Sequence, residues 1–129
     1  MTMPTIRVQT DDFDLQSEID LLTAGRMDIG AVVSFSGLCR DEQGALSALE
    51  LEHYPGMAEA EMNRIALLAI DRFSLLGLTA IHRYGKIAPG ANIVLVIAVA
   101  SHRQAAFDGA NFMMDFLKTS APFWKKEHA

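Results

Sequence analysis

The chain has 129 residues, half of them hydrophobic, which is enough for one domain with a real core and too few for two comfortable ones. Its formal charge of −5 and pI near 5.2 exclude a general binder of nucleic acid or acidic membrane, which needs a net basic surface, while leaving room for a local basic patch. One cysteine, Cys39, excludes an intrachain disulfide and a cysteine-rich metal site, and fits a reducing compartment.

The opening MTMPTIRVQTDDFDL has no basic end followed by an apolar stretch, so it does not read as a signal peptide. The most apolar run, Ile93 to Ala100, is too short to span a bilayer, and a soluble, cytoplasmic protein is expected. Thr5 to Gln9 alternates as a short strand that Thr10, Asp11 and Asp12 break. Asp14 caps a helix with Leu15, Ile19 and Leu22 on one face, and Gly25 sits where it ends. Gly30 to Leu38 sets Ala31, Val33 and Phe35 against Val32, Ser34 and Ser36, a strand with one face buried more deeply. Cys39, Arg40 and Asp41 end it, and Glu42 to Ala45 reads as a turn or mobile loop. Leu49 and Leu51 then alternate with Glu50 and Glu52 in a strand with one wet face. The short connection predicts an antiparallel pair.

Pro55 and Gly56 precede a helix whose buried stripe is Met62, Ile65, Ala66, Ala69 and Phe73. Glu59 and Glu61 near its start and Arg72 near its end suit the helix dipole, and Gly77 closes it. Leu78 to Ile87 and Ile93 to Ala100 read as two strands joined in a hairpin by Pro89, Gly90, Ala91 and Asn92. The second, IVLVIAVA, is apolar on both faces, so it is expected at the centre, with helices on one side and a second subunit on the other.

Ser101, His102, Arg103 and Gln104 form a Ser-x-x-Gln capping box that opens the last helix. Ala106, Ala110, Met113 and Leu117, widened by Ala105, Phe112 and Phe116, make its apolar face; Gln104, Asp108, Asn111, Asp115 and Lys118 make the polar one. Pro122 stops the helix, and Phe123, Trp124, Lys125 and Lys126 follow as an extended aromatic and basic tail. Hairpins and segregated helices favour a single α+β domain over residues 1–129, with a largely antiparallel sheet and helices packed on one side.

The helix start at Ser101 is the best anion site that elementary electrostatics offers, because free N–H groups there are joined by His102 and Arg103. The plainer alternative is a capped surface helix with both side chains solvated. Lys118 likewise has a plain reading, a surface pair with Asp115 worth about 0.2–0.5 kcal/mol. Its functional reading requires enclosure of the amine beside Phe116, Phe123 and Trp124, where desolvation would make it usable as nucleophile or proton carrier. Lys125 and Lys126 read as a solvated tail, Trp124 as packing, Arg40 as a solvated strand end able to clamp an anion, and Cys39 as a small hydrophobe. His53, His82 and His128 lack metal-ligand spacing, and there is no Gly-rich phosphate loop or nucleophile elbow.

GAVVSFSG, LELEHYPGM, IHRYGKIAPG, the SHR helix start and MDFLKTSAPFWKKE, in that order over Gly30 to Glu127, resemble the large subunits of molybdopterin synthases. The pairing of LEHYPGM with LKTSAPFWKKE is highly specific. The resemblance implies an α/β hammerhead-type fold and a homodimer with a small ubiquitin-like sulfur-carrier subunit at each end, a heterotetramer. It implies that two sulfurs pass from the thiocarboxylated Gly-Gly tails of that subunit to cyclic pyranopterin monophosphate (precursor Z), with no metal and no cofactor. The pocket lysines of the family fall on Lys118 and Lys125 and its anion-binding residues on Arg40, His102 and Arg103. Lys125 serves both roles, and Phe35 and Lys126 are carried as auxiliaries. The three anion-binding residues are expected to converge within a few ångströms. Family members continue past FWKKE with a stretch that helps complete the pocket, whereas this chain stops at Ala129. The alternative is a non-catalytic dimeric α+β module that binds an anionic metabolite at the Ser101 helix start.

Overall fold

The structure, a computed structural model, describes residues 2–41 and 48–128, the side chains of 126–128 excepted. The turn expected at Glu42 to Ala45 lies outside the described residues. In chain order the elements are β1 (Thr5–Gln9), α1 (Leu15–Thr23), β2 (Ala31–Leu38), β3 (Ala48–His53), α2 (Met57–Phe73), β4 (Gly77–Arg83), β5 (Gly85–Ile87), β6 (Asn92–Ala100), α3 (Arg103–Thr119) and β7 (Phe123–His128). They build two sheets, a four-stranded one in the order β1-β4-β6-β2 and a three-stranded one in the order β5-β3-β7. Only β1 and β4 pair in parallel among the described strands. The α+β class and the largely antiparallel pairing are borne out.

Local chemistry accounts for much of this. Asp14 caps α1 as expected, its carboxylate accepting from the Ser17 backbone N–H at 3.0 Å. The stripe of α3 is buried at Ala106, Ala110, Met113, Phe116 and Leu117, and with Met62, Ala66 and Ala69 of α2 it covers Leu78, Ala80, Val94, Val96 and Ala98 of the larger sheet. Arg7 of β1 pairs with Glu18 of α1, which ties that helix to the sheet edge.

Five expectations are corrected. The Gly30 to Leu38 strand and the Leu49 strand do not pair: β2 runs beside β6, while β3 sits between β5 and β7 in the second sheet. The expected strand over Leu78 to Ile87 is two strands. β4 pairs with β6, and after Tyr84 the chain turns at Gly85, whose φ of 89° suits glycine, to pair with β3 instead. α2 is closed by Ser74 in the left-handed conformation, and Gly77 begins β4. Nor does the doubly apolar β6 need a second subunit for cover. Leu95, Ile97 and Val99 lie under Phe13, Ile19, Leu22 and Ile29, so α1 and its flanks cover the face opposite α2 and α3. Two of the three helices pack on one side and the third on the other.

The start of α3 also differs from the capping box. His102, with φ −134° and ψ 154°, is the N-cap and makes no side-chain cap bond, and the Gln104 amide donates to Asp108 one turn on at 2.9 Å. Among the described residues, no helix is long and apolar enough to cross a membrane.

Candidate functional site

Arg40 stands at the end of β2, directly after Cys39. The Cys39 N–H donates to the Ala91 carbonyl at 2.8 Å and its own carbonyl accepts from Gly90 at 2.6 Å, so this point is stitched to the start of β6. The Cys39 side chain is buried with Leu49, Leu51 and Ile87, where the second sheet packs over the end of the first. That placement matches its reading as a small hydrophobe. Arg40 itself is exposed.

His102 and Arg103 stand at the other end. Ala31 pairs with Ala100 and Leu38 with Asn92, so β2 and β6 run the length of the sheet between them. At about 3.3 Å per residue, Arg40 and His102 are roughly 30 Å apart along this ladder. Within one chain the expected convergence of Arg40, His102 and Arg103 does not occur, because β6 itself separates them. The His102 end is tightly built: the Gly30 N–H donates to the Ala100 carbonyl at 2.9 Å, and a Cβ at Gly30 would stand 2.1 Å from the Ser101 carbonyl oxygen. Only glycine permits that approach.

α3 packs back along β6 and delivers Lys118, about 22 Å from Arg103 at 1.5 Å per residue, to the Arg40 end. The helix closes with the Ser120 and Ala121 N–H groups both donating to the Phe116 carbonyl, at 2.9 and 3.0 Å. Lys118 is exposed on the polar face, as periodicity requires. The expected ion pair with Asp115 does not form among the described residues. Nor does one chain enclose the amine.

Past Pro122 the tail is a strand. β7 pairs antiparallel with β3, Phe123 opposite His53, Trp124 opposite Glu52 and Lys125 opposite Leu51. Directly opposed residues share a face, so Lys125 is on the face of Leu51, which is buried in one cluster with Cys39. Arg40, next to Cys39 in the chain, and Lys125, opposite Leu51, thus both flank this cluster, and both are exposed. Trp124 is on the other face, its indole N–H donating to Glu52 at 2.6 Å and its ring 4.8 Å from that of Tyr54. Lys126 falls opposite Glu50 in the register, and its side chain is outside the described ones. Phe35, 45% exposed, lies on β2, the edge strand of the larger sheet.

Beside the Cys39 cluster is a column of rings with no counterpart in the sequence reading. Phe123 stacks on His82 of β4 with centroids 3.7 Å apart and planes 10° from parallel, and faces His53 at 5.8 Å. Tyr84 meets His53 at 4.4 Å. His82 Nδ1 is 2.8 Å from the Arg83 carbonyl. Burial lowers its pKa from the ordinary 6.5 to about 4, against the upward pull of that hydrogen bond. The ring is therefore neutral at neutral pH, with Nδ1 donating. Among the described residues, no three His, Cys, Asp or Glu side chains group to hold a metal ion.

The model of the family described as MoaE protein matches residues 8–120. A molybdopterin synthase catalytic subunit of Mesorhizobium japonicum is 72% identical over 125 residues, which are 97% of this chain and 79% of that one. The structure of a molybdopterin biosynthesis MoaE protein from Burkholderia ambifaria superimposes with a TM-score of 0.90 at 48% identity, over 98% of this chain and 84% of that one. A complex of subunits 1 and 2 of a molybdopterin-converting factor from Helicobacter pylori shares the fold, with a TM-score of 0.81 at 19% identity over 95% of this chain and 83% of that one.

Proposed function

The chain belongs to the MoaE protein family, enzymes of molybdenum cofactor biosynthesis, and from that premise we propose that it transfers sulfur from the thiocarboxylated tail of a small ubiquitin-like subunit to cyclic pyranopterin monophosphate. What supports this reading is that the elements bearing three exposed cations, Arg40 after β2, Lys118 in the last turn of α3 and Lys125 on β7, all reach the same end of the larger sheet. A thiocarboxylate and a phosphate are both anions, and fixed positive groups hold them without reorganising during the reaction. Each transfer forms a carbon–sulfur bond at a side-chain carbon of the pterin and breaks a carbon–oxygen bond there, the oxygen leaving as water or as the opened phosphate ester, while water cleaves the acyl carbon–sulfur bond of the tail and leaves the tail as a carboxylate.

The two lysines differ in work. Lys118 ends a helix stiffened by its packed face, so its amine meets the terminal Gly of the tail and stabilises the leaving carboxylate or accepts the acyl group. Lys125, on β7 and flanking the same cluster as Arg40, contacts the pterin and assists proton transfer. The sulfur belongs to the partner, in keeping with a Cys39 packed into the core.

His102 and Arg103 join this site only from a second chain, since they lie too far from Arg40 and Lys118 within one. The working unit is accordingly a homodimer in which the start of α3 in one protomer faces the lysine end of the other, with a small subunit at each outer end. A cytoplasmic location is part of this proposal, in keeping with a single cysteine that is free and buried. Reconstitution tests the reading: the purified chain, thiocarboxylated partner and pterin precursor together yield a dithiolene pterin, and omission of the partner abolishes product. Anion binding with no dependence on any Gly-Gly tail would favour a metabolite-binding module instead.

A further inference from the structure

His82 is a buried titratable side chain, 7% exposed, for which the proposed reaction has no use. It is the last inward-facing residue of β4 before the chain leaves the larger sheet at Tyr84. Its hydrogen bond to the Arg83 carbonyl fixes the ring about its own axis, so it presents a flat, immobile face. On that face lies Phe123, the first residue of β7.

We infer that His82 is a positioning residue, which through its stack on Phe123 sets where β7 places the Lys125 amine. The inference rests on the reading of Lys125 as a site residue. β7 is an edge strand held by one neighbour, β3, so its own ladder fixes it from one side only. Phe123 supplies the second constraint. Lys125 is two residues on and Lys118 five residues back, so the ring is the fixed point between the two amines. The Phe123 N–H donates to the Ala121 carbonyl at 2.8 Å, which ties that fixed point to the closing turn of α3. Loss of the stack frees the start of β7 without removing any charge from the site. A catalytic amine misplaced by an ångström loses rate, whereas anion binding by Arg40, His102 and Arg103 is untouched.

The test uses the full chain with its small-subunit partner and three variants, His82→Ala, His82→Phe and Phe123→Leu. Amide hydrogen exchange over 121–126 reads placement, and kcat and KM for the pterin precursor read function. His82→Ala and Phe123→Leu are expected to speed exchange in β7 by about tenfold, with β4 and β6 still protected. In both, kcat falls about tenfold or more and KM rises by a smaller factor than kcat falls, because Lys125 also contacts the pterin while Arg40, His102 and Arg103 still hold its phosphate. His82→Phe, which keeps a flat ring, retains kcat within about threefold of the parent. The double variant His82→Ala with Phe123→Leu is no slower than the slower single one, because both remove one contact. Unchanged β7 exchange in folded His82→Ala overturns the inference, as does a His82→Phe variant as slow as His82→Ala. Should His82→Ala fail to fold, Phe123→Leu decides alone, since Phe123 is only half-buried and its loss leaves β4 intact. If even the parent makes no product, the sulfur-transfer reading fails, and the exchange measurement still judges the stack.

Discussion

His82 lies flat against Phe123, ring centroids 3.7 Å apart, and burial lowers its pKa to about 4. In the unfolded chain the same imidazole titrates near its ordinary 6.5. Between these values the unfolded state holds a proton that the folded state refuses. Stability therefore falls as pH drops from about 6.5 toward about 4, by about 3 kcal/mol across the window. Urea unfolding at a series of pH values measures this, and His82→Phe should flatten the slope. A parent chain that gains stability on acidification through this window contradicts the assignment.

Gly30 admits no side chain, because a Cβ there would stand 2.1 Å from the backbone oxygen of Ser101. Gly30→Ala must push β2 and the start of α3 apart, at a cost of about 3 kcal/mol. The thermal midpoint should drop by several degrees, and affinity for the precursor should drop with it, since Ser101 immediately precedes His102. An unchanged midpoint would mean the two backbones are not in contact.

The elements themselves were largely legible. Thr5–Gln9 forms where alternation put it, Asp14 caps where a carboxylate three residues before a free N–H must, and the α3 stripe is buried as its spacing requires. What the chain's linear order concealed was pairing. A short connection from Leu38 to Ala48 suggests a hairpin, yet β2 gains more from β6, whose apolar residues need a neighbour on each side. Gly85 carried the missed signal for the break between β4 and β5, since a positive φ there turns the strand out of its sheet. The site suffered most from this. Arg40, His102 and Arg103 flank the same strand pair, and only the register reveals that they flank opposite ends. His82 has no metal-ligand spacing to mark it, and its stack on Phe123 joins residues from two sheets that no local pattern relates.

A site shared between protomers makes a prediction that a one-chain site does not. Arg103→Ala should raise KM for the precursor, and Lys118→Ala should remove turnover. When the two variants are mixed and allowed to exchange, each mixed dimer contains one site with both residues intact. Statistical mixing should then restore about a quarter of the parent activity. At precursor concentrations well below KM, mixed samples no more active than the average of the two separate homodimers would mean that Arg103 and Lys118 act from the same protomer.

The most direct measurement is single-turnover formation of dithiolene pterin by the reconstituted complex, compared across Lys118→Ala, Lys125→Ala and Lys126→Ala. Lys118 is exposed and on the polar face, so its loss should leave unfolding midpoint and dimer intact. Product formation should nearly vanish in Lys118→Ala, by about a hundredfold or more, be severely slowed in Lys125→Ala, and be only mildly reduced in Lys126→Ala. Full activity in Lys118→Ala would remove the lysine mechanism, and equal loss in all three would mean that bulk positive charge, rather than placed amines, drives the transfer.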